Sequence, residues 1–254
     1  MTELPLFLTE LVDELADTPG TVAVVLGGSR VGAGVGEGSD WDLGLYYRGP
    51  IDLTGLAKRG TVYPPGAWGR LMNGGAWLRC GSERVDVLLR DLDVVEYWTD
   101  RATRGEFEVD ALLGYVAGVP TYLLSAELAS CRPLRGRIAP IPFPPRLALD
   151  APPRWRFSRS FTLAYARVLA QRGNRIGAVG HAAKALIEEA HAILCERSEW
   201  VCNEKRMIDS AGLGALQLQF GDCPADTARL VDWVDALTEQ LGGSAWERAP
   251  WDPA

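Results

Sequence analysis

The sequence predicts an α+β fold, with an α/β-type mixed sheet in the first part of the chain and a helical bundle in the second. Three observations carry that reading. The β-branched run Thr21 to Leu26 and the alternating run Trp41 to Tyr47 read as strands, and the segments around Gly81 read as a hairpin. Prolines then cluster at Pro140, Pro142, Pro144, Pro145, Pro152 and Pro153, which reads as a stiff linker. Beyond them apolar residues recur at helical spacing. A boundary near residue 145 follows, giving candidate domains 1–145 and 146–254.

The elements follow in order. Leu4, Leu8, Leu11, Val12 and Leu15 are spaced as one face of an amphipathic helix. Pro19-Gly20 stops it. TVAVVL, Thr21 to Leu26, is a short buried strand, and a glycine-rich loop follows. Trp41 to Tyr47 alternates as a second strand. Trp77 to Cys80 and Arg84 to Leu89 flank the turn Gly81-Ser82-Glu83, the pattern of a hairpin. Residues 91–104 have helical character. The segment YPPGAWGRLMNGGAW, Tyr63 to Trp77, is either a mobile pocket wall or a loop that packs its tryptophans on the sheet. Three helices fill the rest: 155–172, 176–197 and 224–241. Trp98, Trp155 and Trp200 read as core.

Composition excludes several classes of function. Of 254 residues, 47% are hydrophobic and 23% charged, enough for a sizeable core. The net charge of -7 argues against a general nucleic-acid binder and against an anionic membrane surface. The cysteines number five, an odd count with no C-x-x-C, and the two histidines lie far from paired cysteines. A disulfide framework and a zinc site are therefore not expected, and a reduced cytoplasmic setting is. The first twenty residues carry acids within their apolar run, unlike a signal peptide. No segment offers 18 uncharged apolar residues for a membrane span.

The chemistry concentrates in GGSRVGAGVGEGSDWDLGLYY, Gly27 to Tyr47. A phosphate loop of the G-x-x-x-x-G-K-[ST] kind needs a lysine, and Arg30 stands in the wrong place. A dinucleotide fingerprint needs G-x-G-x-x-G opening a helix, and this loop opens into a strand. A glycine-rich surface hairpin accounts for the glycines but not for the acids. Asp40 and Asp42, two apart, project to one face, while Trp41 and Leu43 turn the other way into packing. A third acid, Asp86, sits among Val85, Val87 and Leu88 in RVDVLLR. Such an acid is costly unless paired or metal-bound. Three carboxylates from neighbouring strands form a hard oxygen site suited to Mg²⁺. Two such ions about 3.5–4 Å apart serve an attacking oxygen and a leaving pyrophosphate.

These residues carry a resemblance. Gly27-Gly28-Ser29, then Ser39-Asp40-Trp41-Asp42-Leu43-Gly44, then Val85-Asp86-Val87 resembles the nucleotidyltransferase superfamily with the DNA polymerase β-like fold. It covers roughly residues 20–90. The chain looks most like the small bacterial enzymes that transfer a nucleotide to antibiotics such as aminoglycosides and lincosamides, and their actinobacterial relatives, which add a C-terminal helical domain. The resemblance implies that Gly28 and Ser29 hold the β- and γ-phosphates, with Ser39 and Arg30 beside the nucleotide. It implies that Asp40, Asp42 and Asp86 bind two Mg²⁺, and that Asp86 orients or deprotonates an acceptor hydroxyl. The expected reaction transfers AMP from ATP, or another nucleotide from its NTP, to a small molecule.

The helical half adds candidates. In HAAKALIEEAH, His181, Lys184, Glu188 and His191 fall within one narrow arc of a helix. That stripe is either a solvated face with a Lys184–Glu188 pair, or the wall of a cleft in which Lys184 neutralises phosphate charge and Glu188 binds a cationic acceptor or acts as base. In WVCNEKR, Lys205 is a second candidate for a phosphate and Asn203 for ribose or base. The acidic chain suits a cationic, aminoglycoside-like acceptor. Two other readings remain open: a toxin-like transferase acting on a protein or tRNA, and a nucleotide-binding module without catalysis. The sequence does not determine the oligomeric state.

Overall fold

Alternate residues of three segments pack into a single core against one face of a sheet. Val24 and Leu26, Leu43 and Leu45, and Val85, Val87 and Leu89 are all almost fully buried in one core. The computed structural model describes residues 4–31 and 39–243. Residues 32–38 of the glycine loop lie outside the described residues.

The strands are β1 (Thr21–Leu26), β2 (Trp41–Tyr47), β3 (Gly60–Tyr63), β4 (Gly74–Cys80), β5 (Glu83–Asp91), β6 (Val109–Asp110), β7 (Val119–Pro120) and β8 (Arg132–Gly136). The helices are α1 (Leu6–Asp17), α2 (Gly69–Met72), α3 (Leu92–Thr103), α4 (Leu123–Ser130), α5 (Pro145–Gln171), α6 (Arg175–Glu196), α7 (Met207–Ser210), α8 (Gly214–Gly221) and α9 (Thr227–Gln240). Six strands form one sheet in the order β3-β4-β5-β2-β1-β8, and β6 pairs with β7 separately. Within the large sheet β2 and β5 run parallel and the other pairs antiparallel, so the sheet is mixed, as the sequence predicts.

The chain forms two compact units. The first comprises the residues up to Arg101 together with Thr121–Pro142; the second comprises Ala102–Pro120 and the chain from Phe143 onward. The predicted domains, 1–145 and 146–254, differ from this in the placement of Ala102–Pro120. The proline cluster marks a local change of chain character, and it says nothing of where an earlier segment packs.

In the first unit, Leu8, Leu11, Val12 and Leu15 of α1 join the inner face of the sheet in one core. Trp41 lies on this side, edge-on to Phe7 with ring centroids 6.2 Å apart. On the opposite face Arg90, only 1% exposed, binds Glu127 of α4 at 2.7 Å and the Met72 carbonyl at 3.0 Å. The β4–β5 hairpin forms as predicted, with Cys80 opposite Glu83 and Gly81 at a φ of 66°. That left-handed backbone is where glycine is favoured.

In the second unit, α6 is exposed at its start, at Arg175 and Ile176, and buried almost throughout from Ala185 to Cys195. Ala182, Ala185 and Leu186 pack with Leu163 of α5 and Leu237 of α9, and Ala178 packs with Ala166 and Ala170 of α5 and Leu230 and Val234 of α9. Asn174 caps α6 by accepting from the Gly177 N–H at 2.9 Å, and Asp226 caps α9 by accepting from Arg229 at 3.0 Å. The proline-rich stretch is not wholly a linker. Pro145 opens α5, where its fixed φ and missing N–H cost nothing, and Pro152 and Pro153 continue inside the helix. The segment Ala102–Pro120 is tied to this unit by Phe107 stacked on Trp155 at 5.8 Å. The Glu204 carboxylate accepts from the N–H groups of Val116 and Ala117 at 2.7 and 2.9 Å.

Among the described residues, no helix is long and apolar enough to cross a membrane. All five cysteines are free of disulfides.

Candidate active site

Asp42 and Asp86 are direct partners in the parallel β2–β5 register. Their strand neighbours Leu43, Val85 and Val87 are fully buried in the core, so alternation turns both acids to the opposite face. Asp40 precedes β2, and its Oδ1 lies 2.7 Å from Nε of Arg84. The Asp86 carboxyl is pushed above its ordinary range. Burial is the main cause, the negative charges of Asp42 and Asp40 add to it, and Arg84 opposes them.

The glycine turn meets these acids closely. The Gly27 N–H donates to the Asp42 carbonyl at 2.8 Å. Gly28 has a φ of 63°, and a Cβ placed on it would lie 1.8 Å from Oδ2 of Asp42. Glycine is favoured there, both by the left-handed backbone and because any side chain would have to displace the carboxylate. Ser29 and Arg30 lie in the short 3₁₀ turn Gly28–Val31. Arg30 donates from Nε to the carbonyls of Ser39 and Asp40 at 3.0 and 3.2 Å, and its guanidinium covers the Trp41 ring at 4.0 Å. This arginine clamps the two ends of the glycine loop together, which gives it a positioning role within the protein.

A cleft of about 280 Å³ opens beside the acids, lined by Asp40, Trp77, Leu78, Arg79, Arg84 and Asp86. Among the described residues, no three His, Cys, Asp or Glu side chains stand in a metal-binding group. Asp40 is directed to Arg84, while Asp42 and Asp86 remain together. The donor chemistry fits a divalent cation on one observation in particular: an acid already burdened by burial and by two neighbouring anions is relieved by a cation between them.

The remaining candidates lie in the second unit. Lys184 donates to Glu188, and Ser158 donates to the same carboxylate at 2.6 Å. Glu188 is 0% exposed, and its Oε2 has no hydrogen-bond partner among the described residues. The carboxylate is thus not part of a solvated stripe. Lys184 lies above it and lines two cavities of about 520 and 400 Å³, one walled by Val109 to Gly118 and one by Phe107, Trp155 and Phe161. His191 stacks on Trp155 with centroids 4.2 Å apart. His181 bonds through Nδ1 to the Gly177 carbonyl at 2.9 Å. Lys205 is exposed in the turn Glu204–Arg206, whose Asn203 side chain accepts from the Lys205 N–H at 3.0 Å. Asn203 is therefore occupied as a cap.

Three residues of the cleft escape a reading centred on acids: Trp77, Arg79 and Arg84. Their signal lies in the hairpin. Trp77-x-Arg79 and Arg84-x-Asp86 share the two-residue period of Asp40-x-Asp42, and the hairpin register sets Trp77 opposite Asp86 and Arg79 opposite Arg84.

No protein-family model and no curated protein matches the chain. Among solved structures, a nucleotidyltransferase-like protein from Exiguobacterium sibiricum is matched over 91% of this chain and 72% of that one, at 15% identity and a TM-score of 0.41. An aminoglycoside 6-adenyltransferase from Bacillus subtilis is matched over 94% and 91%, at 11% identity and a TM-score of 0.26. Likeness at this level speaks of those neighbours, and the reading of this chain rests on its own residues.

Proposed function

We propose that the chain is a Mg²⁺-dependent nucleotidyltransferase that moves a nucleoside monophosphate, AMP from ATP, onto a hydroxyl of a small molecule. The observation that supports it most directly is the register pairing of Asp42 with Asp86 against the Gly28 turn. Asp42 and Asp86 would hold the cation, and Asp40, on leaving Arg84, would join them for a second. Bound there, Mg²⁺ would offset the charge of the triphosphate and of the departing pyrophosphate.

The protein's own groups do the rest. Gly28 brings backbone against the acids with no side chain in the way, and Ser29 offers a hydroxyl to the β- and γ-phosphates. Arg30 fixes the loop ends near Ser39. Asp86, facing the cleft beside Asp42, is the carboxylate placed to orient the acceptor hydroxyl and take its proton. The acceptor oxygen bonds to the α-phosphorus, the bond to the bridging oxygen breaks, and pyrophosphate leaves with the electron pair.

The test is transfer of label from α-³²P-ATP to a panel of hydroxylated small molecules, tRNA and bulk protein, with Mg²⁺ and with EDTA. Transfer with release of pyrophosphate is expected, stopped by EDTA. Asp42→Asn should lower it at least ~100-fold, about 2.7 kcal/mol of barrier, with an unchanged circular dichroism spectrum. Undiminished transfer by that variant would reject the reading. The Arg84–Asp40 ion pair is what a binding module without catalysis would keep; ATP binding with no transfer to any acceptor would favour that module.

A further inference from the structure

Trp77 keeps 53% of its surface exposed, although it sits on a sheet and opposite Asp86. A large exposed ring beside a polar cleft is a contact surface in waiting. The ring is held in place. It meets Tyr63 with centroids 4.8 Å apart and Trp68 at 6.0 Å, and Tyr63 meets Trp68 at 5.0 Å. The loop that delivers Trp68 is itself fixed. Asn73, at a φ of 61°, donates to the Tyr47 hydroxyl at 2.7 Å and accepts from the Gly66 N–H at 2.8 Å. A Cβ on Gly75 would fall 2.6 Å from the Trp68 ring, so the close seating of Trp68 requires glycine there. The segment Tyr63 to Trp77 thus packs its tryptophans on the sheet.

Charge gives the second half of the inference. Arg79 and Arg84 face each other across the hairpin, a like-charge pair that costs stability in itself. Asp40 neutralises Arg84. Arg79 is exposed, and its guanidinium makes no ion pair or hydrogen bond among the described residues. A free guanidinium repels polycations and binds carboxylate or phosphate in bidentate fashion. The sheet order also separates two sides of the acids. The Gly28 turn follows β1 on one side of β2, while Trp77 and Arg79 lie on β4, beyond β5 on the other.

We infer that this cleft is the acceptor subsite, and that its acceptor is a small hydroxylated anion with a planar ring. The ring lies on Trp77, the anionic group meets Arg79, and the hydroxyl points to Asp86. The inference rests on the transferase reading above. It departs from the cationic acceptor that the acidic chain suits, because Asp40 is taken up by Arg84 and Asp86 is set to meet the acceptor hydroxyl, which leaves Arg79 as the charge that meets the rest of the acceptor.

The test uses the full chain and four probes: guanosine 5′-monophosphate (planar, anionic), guanosine (planar, neutral), glucose 6-phosphate (anionic, not planar) and kanamycin (polycationic). Calorimetric binding and label transfer from α-³²P-ATP are measured for each. Guanosine 5′-monophosphate should bind at least tenfold more tightly than the other three. Arg79→Gln and Trp77→Leu should each weaken that binding about tenfold and leave ATP affinity within twofold. Arg79→Gln, at an exposed site, guards against a folding defect in the tryptophan variant. The inference is overturned if kanamycin binds best, if none of the four binds, or if Arg79→Gln weakens ATP instead, which would assign the arginine to the triphosphate. Selective, Arg79-dependent binding of the planar anion with no label transfer to any probe would remove the transferase reading while the subsite stands. Transfer to kanamycin alone would keep the transferase and remove the subsite.

Discussion

His191 shows how a single side chain departs from its sequence pattern. It shares a helical arc with His181, Lys184 and Glu188, yet it is 4% exposed and stacked face to face on Trp155. Burial pulls its pKa from 6.5 down to about 3, so it stays neutral in the folded protein while the unfolded chain takes up a proton. The stability this gives is full above pH 6.5 and is lost as the pH falls toward 3. Between pH 6.5 and 5 the loss should approach ~2 kcal/mol, at about 1.36 kcal/mol per unit. In urea titrations His191→Phe, which keeps a ring against Trp155, should flatten that dependence; an unchanged pH profile would contradict it. The three aspartates were legible because a two-residue spacing and an acid amid valines are written in the sequence itself. The Asp40–Arg84 contact was not, since cross-strand register depends on where distant segments meet. The burial of Glu188 and His191 was hidden for a related reason: helical spacing shows which residues share a face, and the neighbours decide whether that face is wet.

Elements with strong periodicity were read well. The predicted helices at 176–197 and 91–104 correspond to α6 and α3, and the predicted strands at 21–26 and 41–47 to β1 and β2. What escaped were short elements whose formation depends on partners, among them α4 and the edge strand β8, which pairs with β1. The start of α5 also escaped, because Pro152 and Pro153 read as breakers. Two prolines inside a helix remove ladder donors and clash with the preceding turn. Packing of α5 against α6 and α9 outweighs that cost. Pro153 is exposed, so Pro153→Ala restores a donor without emptying the core. It should stabilise the protein by ~2 kcal/mol, the helical gain of about 3 kcal/mol less about 1 kcal/mol for the freedom returned to the unfolded chain. A higher denaturant midpoint at unchanged slope is the expected result.

At the scale of the molecule, the two units interleave along the chain. Fragments cut at the sequence-derived boundary should therefore behave poorly. Residues 1–145 carry Phe107, Ala117 and Val119, which are buried in the intact protein, without the helices that Phe143 onward supplies. Such a fragment should bind a hydrophobic dye such as ANS and yield little soluble protein, whereas the full chain should not bind it. A fragment as soluble and dye-silent as the whole would contradict the assignment of Ala102–Pro120. The acidic cleft itself was largely foreseeable, because its acids lie within about fifty residues of one another; the interleaving was not, because no local signal records it.

That interleaving bears on synthesis. As the polypeptide leaves the ribosome, the strands up to Asp91 emerge first, but the sheet gains β8 only after residues 102–120 have already passed the exit. At ~5–20 residues per second, the roughly 120 residues from there to the end of α9 take about 6–25 s. For that interval Phe107 and Val119 wait in the nascent chain for helices not yet made, and their apolar surface stays open to water.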